Sequence, residues 1–126
     1  MRQEHIAAGN LVGLASLAGQ RAGTLSGGQA QRVAIARALA QRPDVVLADE
    51  PVASLDPEAA QEVMRLLQRL AHTEKLAVLA VLHQVDLAYS FADRVVGIRA
   101  GHIAFDTPCA SLSREAVQGL YVSEAA

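Results

Sequence analysis

Aromatic side chains are scarce in this chain, at 3% of 126 residues, and there is no tryptophan. Apolar residues nevertheless make up 52% of the sequence, which excludes a disordered polar chain. A core must therefore be assembled mainly from Ala, Val, Leu and Ile. Such side chains let helices and sheet approach closely, but each buries little area. The length suits one domain with a thin core. Cys109 is the only cysteine, so no internal disulfide can form and nothing points to an oxidising compartment. With no Cys/His cluster near it, Cys109 reads as an inert small side chain. Neither charge sign dominates: eleven basic and thirteen acidic residues give a formal net charge of −2. That argues against a nucleic-acid partner bound by broad phosphate neutralisation, though a nucleotide needs only a local site. No apolar run reaches membrane-spanning length, and the longest, Leu76 to Leu82, fits a buried strand. The start, Met1-Arg-Gln-Glu-His5, lacks the apolar stretch of a signal peptide. The expectation is a cytoplasmic chain whose membrane association comes through a partner.

What is present is organised as alternating helix and strand. Leu11, Val12, Leu14 and Leu17 suggest a short amphipathic helix, followed by a loop from Gly19 to Gly23. Ser26-Gly27-Gly28 precedes good helix formers from Gln29 to Gln41, with Ser26 placed to cap the helix and Pro43 limiting it. Val45-Val46-Leu47-Ala48 reads as a buried parallel strand with Asp49 and Glu50 at its C-terminal edge, stopped by Pro51. Asp56-Pro57-Glu58 opens the next helix, with Asp as N-cap, Pro at the first helical position and an acid in the first turn. Ala60, Val63, Leu67 and Leu70 then recur at helical spacing, leaving Gln61, Glu62, Arg65 and Gln68 outward. Ala77 to Leu82 is a second buried strand ending at His83. It should lie parallel to the first, joined through the intervening helix by a right-handed crossover. A short helix over 86–91, a hairpin of 94–99 and 102–106 around Ala100-Gly101, and a last helix over 113–122 complete an α/β chain.

Four places carry candidate chemistry. At Leu25-Ser26-Gly27-Gly28-Gln29, two glycines permit close backbone approach, and a helix N-terminus offers free N–H groups to an anion. Physics alone reads this equally well as an ordinary capped helix after a glycine loop. Asp49 and Glu50 follow four apolar residues at a strand's C-terminal end, where ligands gather in open α/β sheets. There Asp49 can hold magnesium through water and Glu50 can orient or deprotonate an attacking water. Asp56 is an excellent N-cap in its own right. His83 follows a strand directly, and its imidazole can both donate and accept hydrogen bonds.

The order Leu-Ser-Gly-Gly-Gln, helix, apolar strand ending Asp-Glu-Pro, Ser54-Leu55-Asp56, then a strand ending in His83 resembles the ABC ATPase family. The run from Arg32 to Leu39 extends the likeness, which covers about Thr24 to Asp106. The resemblance implies that Ser26, Gly27, Gly28 and Gln29 form a signature motif. That motif touches the γ-phosphate of ATP held by the other subunit of a dimer. By the same likeness Asp49 is the magnesium aspartate, Glu50 the catalytic glutamate, Asp56 the D-loop aspartate at the dimer seam and His83 the switch histidine. ATP and magnesium are the implied cofactors. A second ATPase subunit and transmembrane permease subunits are the implied partners, holding the chain at the inner face of the cell membrane. Residues 1–42 would be part of a helical subdomain and 43–126 part of a catalytic core. The segments around Ala48 to Pro57 and Leu82-His83-Gln84-Val85-Asp86 look most like phosphonate-import ATPases.

The chain departs from the family pattern: it contains no G-x-x-x-x-G-K-[ST] loop, its single lysine, Lys75, stands in no such context, and the adenine-stacking aromatic and the Q-loop segment that lie upstream in the family are missing too. The implied fold is a partial P-loop NTPase core with parallel strands, crossover helices and a C-terminal hairpin, the P-loop strand being missing. That strand would lie between the His83 strand and the Arg94–Arg99 strand, so unpaired edges are expected. Three functions follow: an ATP-hydrolysing importer subunit represented by a truncated chain, a non-hydrolytic module lending its signature helix to a full-length partner, or a soluble ABC ATPase with no transporter. Gln29 suits the transporters better than DNA-maintenance members.

Overall fold

The structure is a computed structural model and describes residues 26–121. The expected helix and loop over 11–23 lie outside these residues. The described chain falls into two compact units, one ending at His83 and the other starting at Gln84.

In the first unit, helix α1 (Gly27–Leu39) is followed by strand β1 (Val45–Asp49), helix α2 (Pro57–His72) and strand β2 (Ala77–Val81). Ser26 caps α1 and Asp56 caps α2, each side chain accepting an N–H three residues on, and Pro57 holds the first helical position of α2. The α1 helix stops at Leu39 with Ala40 as its C-cap, ahead of Pro43, and Arg42 turns the chain at φ 53°. The strands β1 and β2 pair in parallel, Val45 against Ala77 through Asp49 against Val81. Parallel neighbours require a crossover connection, and α2 provides it.

The α2 helix carries most of the core. Ala60, Val63, Met64, Leu66, Leu67 and Leu70 are buried, and Val63 and Leu70 are fully enclosed. Gln61, Glu62 and Arg65 are exposed on the opposite side, as the 3.6-residue spacing dictates. Helix α2 packs on β2 and α1 packs on α2, with Ile35 and Val46 added to the buried set.

Both strands differ from the buried strands their sequences imply. Only the face bearing Val46, Ala48, Val78 and Ala80 is covered or partly covered. Leu47 is 74% exposed and Leu79 60%, with Val45 and Val81 also in solvent. The physical reason is the layer count. Strand residues alternate between faces, so an all-apolar strand needs cover on both sides, and here a helix lies on one. Ending β2 at Val81 rather than Leu82 is a one-residue difference in boundary.

Between α2 and β2, Lys75 adopts φ 59°, a left-handed conformation that favours glycine. The Leu76 N–H reaches back to the Leu70 carbonyl at 3.1 Å. Lys75→Gly is expected to raise stability by about 0.5–1 kcal/mol, the relief of a side chain in αL less the added freedom of the unfolded chain. A urea midpoint that stays or falls would show that the turn holds no strain.

The second unit contains helix α3 (Val85–Phe91), strands β3 (Arg94–Arg99) and β4 (His102–Pro108), a 3₁₀ turn (Cys109–Ser111) and helix α4 (Arg114–Gly119). The hairpin is antiparallel, with Ala100 at φ 52° and Gly101 at φ 78°, the two positive values that a tight two-residue turn needs. Its register shifts between Gly97 and Ile98. Phe105 lies so close over Gly97 that a Cβ there would sit 2.4 Å from its ring, so glycine is the residue that lets the ring pack. Cys109 is half-buried, its Sγ 3.6 Å from the Ala88 and Tyr89 carbonyls. Among the described residues, the hairpin and the parallel pair are separate two-stranded sheets.

Candidate functional site

The C-terminal end of the parallel pair brings together residues distant in sequence. Asp49 closes β1 opposite Val81, and the Glu50 N–H still joins the ladder by donating to the Val81 carbonyl at 3.0 Å. Glu50 then turns left-handed, at φ 49°. A long L side chain in that region is uncommon and strained, and it ends the strand at the residue before the buried Pro51 and Val52. The Ala53 N–H donates back to the Glu50 carbonyl, closing a turn. Ser54, at φ 65°, bends the chain again toward Asp56.

His83, two residues beyond β2, meets Glu50 at this edge: Nε2 lies 2.6 Å from Oε1. An ionised carboxylate can only accept, so the histidine nitrogen donates. The pair is open to water, with His83 78% and Glu50 46% exposed. An ion pair or hydrogen bond so exposed contributes about 0–1 kcal/mol. Another hydrogen-bonding group arriving at this edge can therefore separate the two side chains at small cost. Parity puts Asp49 on the uncovered face with Leu47, its carboxylate exposed.

The Ser26 turn is a complete capping box. The Gln29 N–H donates to Ser26 Oγ at 3.1 Å, and the Ser26 N–H donates to Gln29 Oε1 at 3.0 Å. Two donors are thereby satisfied within the turn, and helix geometry leaves the Gly27 and Gly28 amides without partners inside α1. The hydroxyl of Ser26 thus belongs to its own helix, separate from the Glu50–His83 pair. For these glycines the sequence left a closely approaching ligand and an ordinary capped helix equally open. Here their close neighbours come from the chain itself: a Cβ on Gly27 would lie 2.9 Å from Leu55 Cδ2, and one on Gly28 would lie 3.1 Å from the Ala59 methyl. Asp56 Oδ1 accepts the Ala59 N–H at 2.9 Å.

Sequence reasoning brought Glu50 and His83 to one edge and placed both caps. It missed Leu55 and Ala59, and it missed the second half of the capping box. The Ser-x-x-Gln spacing at 26–29 was a legible signal for the latter. Nothing local marks Leu55 and Ala59, because their importance comes from another helix.

A magnesium ion with a nucleotide is the cofactor set that this arrangement would have to fit. Asp49 offers hard carboxylate oxygens that suit magnesium. Among the described residues there is no group of three or more His, Cys, Asp or Glu able to hold a metal. Such an ion would have to take its remaining ligands from water and phosphate, which is how magnesium is commonly held. Among the described residues, no helix is long and apolar enough to cross a membrane.

A family model described as "ABC transporter" matches residues 1–53. The phosphonates import ATP-binding protein of Nocardia farcinica is 59% identical over 121 residues, 96% of this chain and 45% of that protein. The phosphate-import ATP-binding protein of Mycolicibacterium smegmatis is 54% identical over 121 residues, 96% of this chain and 46% of its own length. The chain thus spans less than half the length of these curated relatives. A solved dimeric ATP-binding cassette in a post-hydrolysis state, bound to ADP and Pi, matches with a TM-score of 0.69 and 32% identity, over 86% of this chain and 49% of that one.

Proposed function

We propose that this chain is the C-terminal half of an ABC-transporter ATP-binding domain of the phosphonate-import kind and contributes two different parts to a two-subunit ATPase. One part is the β1–β2 edge. Glu50 orients the attacking water and takes its proton, and His83, freed from its weak contact with Glu50 when the nucleotide arrives, donates to the terminal phosphate. Asp49 holds magnesium, which neutralises charge on the phosphates when bound. The other part is the Ser26–Gln29 turn, whose Gly27 and Gly28 amides serve the γ-phosphate of ATP on the second subunit, with Asp56 at the seam. Residues 1–42 then belong to the helical subdomain and 43–126 to the catalytic core. The observation that carries this reading is the Glu50–His83 contact of 2.6 Å, made at the strand ends where α/β sheets bind ligands.

Two features support a requirement for a further polypeptide segment. The chain has no glycine-lysine loop to cradle phosphates. The apolar face of Val45, Leu47, Leu79 and Val81 has no cover among the described residues. A P-loop-bearing half would answer both, packing on that face and positioning the nucleotide. The assembled protein would act at the inner face of the membrane with permease subunits, importing a phosphonate or a related phosphorus oxyanion.

The test is phosphate release by the purified 126-residue chain, alone and with a P-loop-bearing half of a relative added in trans. The chain alone is expected to show no turnover above background, because positioning is a large share of catalysis in phosphoryl transfer. The mixture is expected to turn over ATP. Turnover by the chain alone would overturn the requirement for the second half. The complete capping box at Ser26–Gln29 also suits a second reading, a module that lends only that turn to a complete partner. Full activity of a mixture of a complete ABC ATPase subunit with this chain carrying Glu50→Gln would select that reading.

A further inference from the structure

We propose that Ala59, together with Leu55, is a positioning residue: it fixes the amide turn Ser26–Gln29 of α1 against the first turn of α2. Its use in catalysis rests on the nucleotide reading above, but the contact itself does not. Three links make the chain of contact. Asp56 Oδ1 accepts the Ala59 N–H at 2.9 Å, so the Ala59 methyl is held by the α2 cap. That methyl faces Gly28, a buried residue where an added Cβ would come within 3.1 Å of it. Gly28 lies between the partners of the capping box, Ser26 and Gln29.

The two glycines are not equivalent in this respect. Gly27 meets Leu55 Cδ2, the far end of a flexible side chain that can swing aside. Gly28 meets a methyl fixed directly to a helix backbone, which can move only with α2. Ala59 is therefore the rigid contact, and Leu55 an adaptable one beside it. Further along the same two helices, Arg32 Nη2 and Glu62 Oε2 stand 3.9 Å apart, too loosely to set the register. Glycine at 28 and alanine at 59 bring the two capped turns together, so a displacement of the Asp56 turn is carried to the Gly27 and Gly28 amides. An assembly with Asp56 at its subunit seam would thereby report closure to its anion-binding turn.

The experiment is amide hydrogen exchange at Gln29 and Ala30 in the 126-residue chain, which needs no nucleotide. Were the contact slack, Gly28→Ala would slow exchange by up to about fivefold, because alanine is the better helix residue. Positioning predicts the reverse, an acceleration of about fivefold, the size of losing one N-cap. Gly28→Ala combined with Ala59→Gly returns one methyl to the contact from the opposite helix. Exchange should then fall back toward the wild-type rate. Leu55→Ala is the milder second variant, expected to accelerate exchange about twofold as an adaptable neighbour is lost. Slower or unchanged exchange in Gly28→Ala, or a double variant no better than the single, would overturn the proposal. In the assembly with a P-loop half, Gly28→Ala should raise KM for ATP, and the double variant should bring it back toward the wild-type value. Wild-type halves that together hydrolyse no ATP would sink the nucleotide reading alone, since the exchange result decides the positioning role by itself.

Discussion

Glu50→Gln, placed in this chain and assembled with a P-loop-bearing half, is expected to lower ATP turnover by roughly 10²–10⁴-fold, the usual range for loss of a general base. Nucleotide affinity should change little. The amide preserves the shape of the side chain and can still meet His83, but it cannot take a proton from water. The left-handed backbone at residue 50 is retained, so the side chain leaves the strand end in the same direction. Two companion variants separate this role from general damage to the site. Asp49→Asn should raise the magnesium concentration needed for turnover. Ser26→Arg should block closure over the second subunit's phosphate by placing a long side chain in the capped turn. The measurement is steady-state phosphate release alongside nucleotide binding. Near-wild-type turnover in Glu50→Gln would remove Glu50 from the chemistry, leaving the pair with His83 as a structural contact.

The second large effect is expected at Leu47. This side chain lies in the middle of β1 and is mostly in water. Leu47→Asp should therefore change the stability of the isolated chain by no more than about 0.5 kcal/mol, the usual range for an exposed site. It should reduce self-association, because it interrupts the apolar face shared with Val45, Leu79 and Val81. Its effect on assembly is the opposite in size. Covering an unpaired carboxylate costs at least several kcal/mol, which is roughly a thousandfold or more in association. Addition of the P-loop half to Leu47→Asp should then restore no turnover at concentrations that saturate the wild-type chain. Light scattering on the chain alone and titration of the added half read the two effects separately. If the variant assembles with unchanged affinity, the uncovered face is not where the second half packs.

The sequence by itself determined the elements and their polarity. Pro57 behind Asp56, and Ser26 ahead of a run of helix formers, set both helix starts through the local chemistry of unsatisfied N–H groups. The spacing of Ala60, Val63, Leu67 and Leu70 assigned the inward face of α2, because helix periodicity is a property of the backbone. Two apolar strands with a helix between them left a parallel pair as the favoured arrangement, and β1 and β2 adopt it. That arrangement, with acids closing one strand and histidine following the other, was enough to bring Glu50 and His83 to a common edge.

Tertiary structure alone decided three things. Strand composition reports how much apolar surface needs cover, yet not whether a second layer is present, so the exposure of Leu47 and Leu79 could not be read from their identity. The left-handed turn at Glu50 is imposed by its place between the last ladder hydrogen bond and a buried Pro51, against the preference of a long side chain. What packs against Gly27 and Gly28 was the third. A glycine pair states that something comes close, and two candidates, a ligand and the chain itself, have the same signature in one dimension. Only the packing of α1 beside α2 identifies Leu55 and Ala59 as the neighbours, because that contact joins residues with no local relation in sequence.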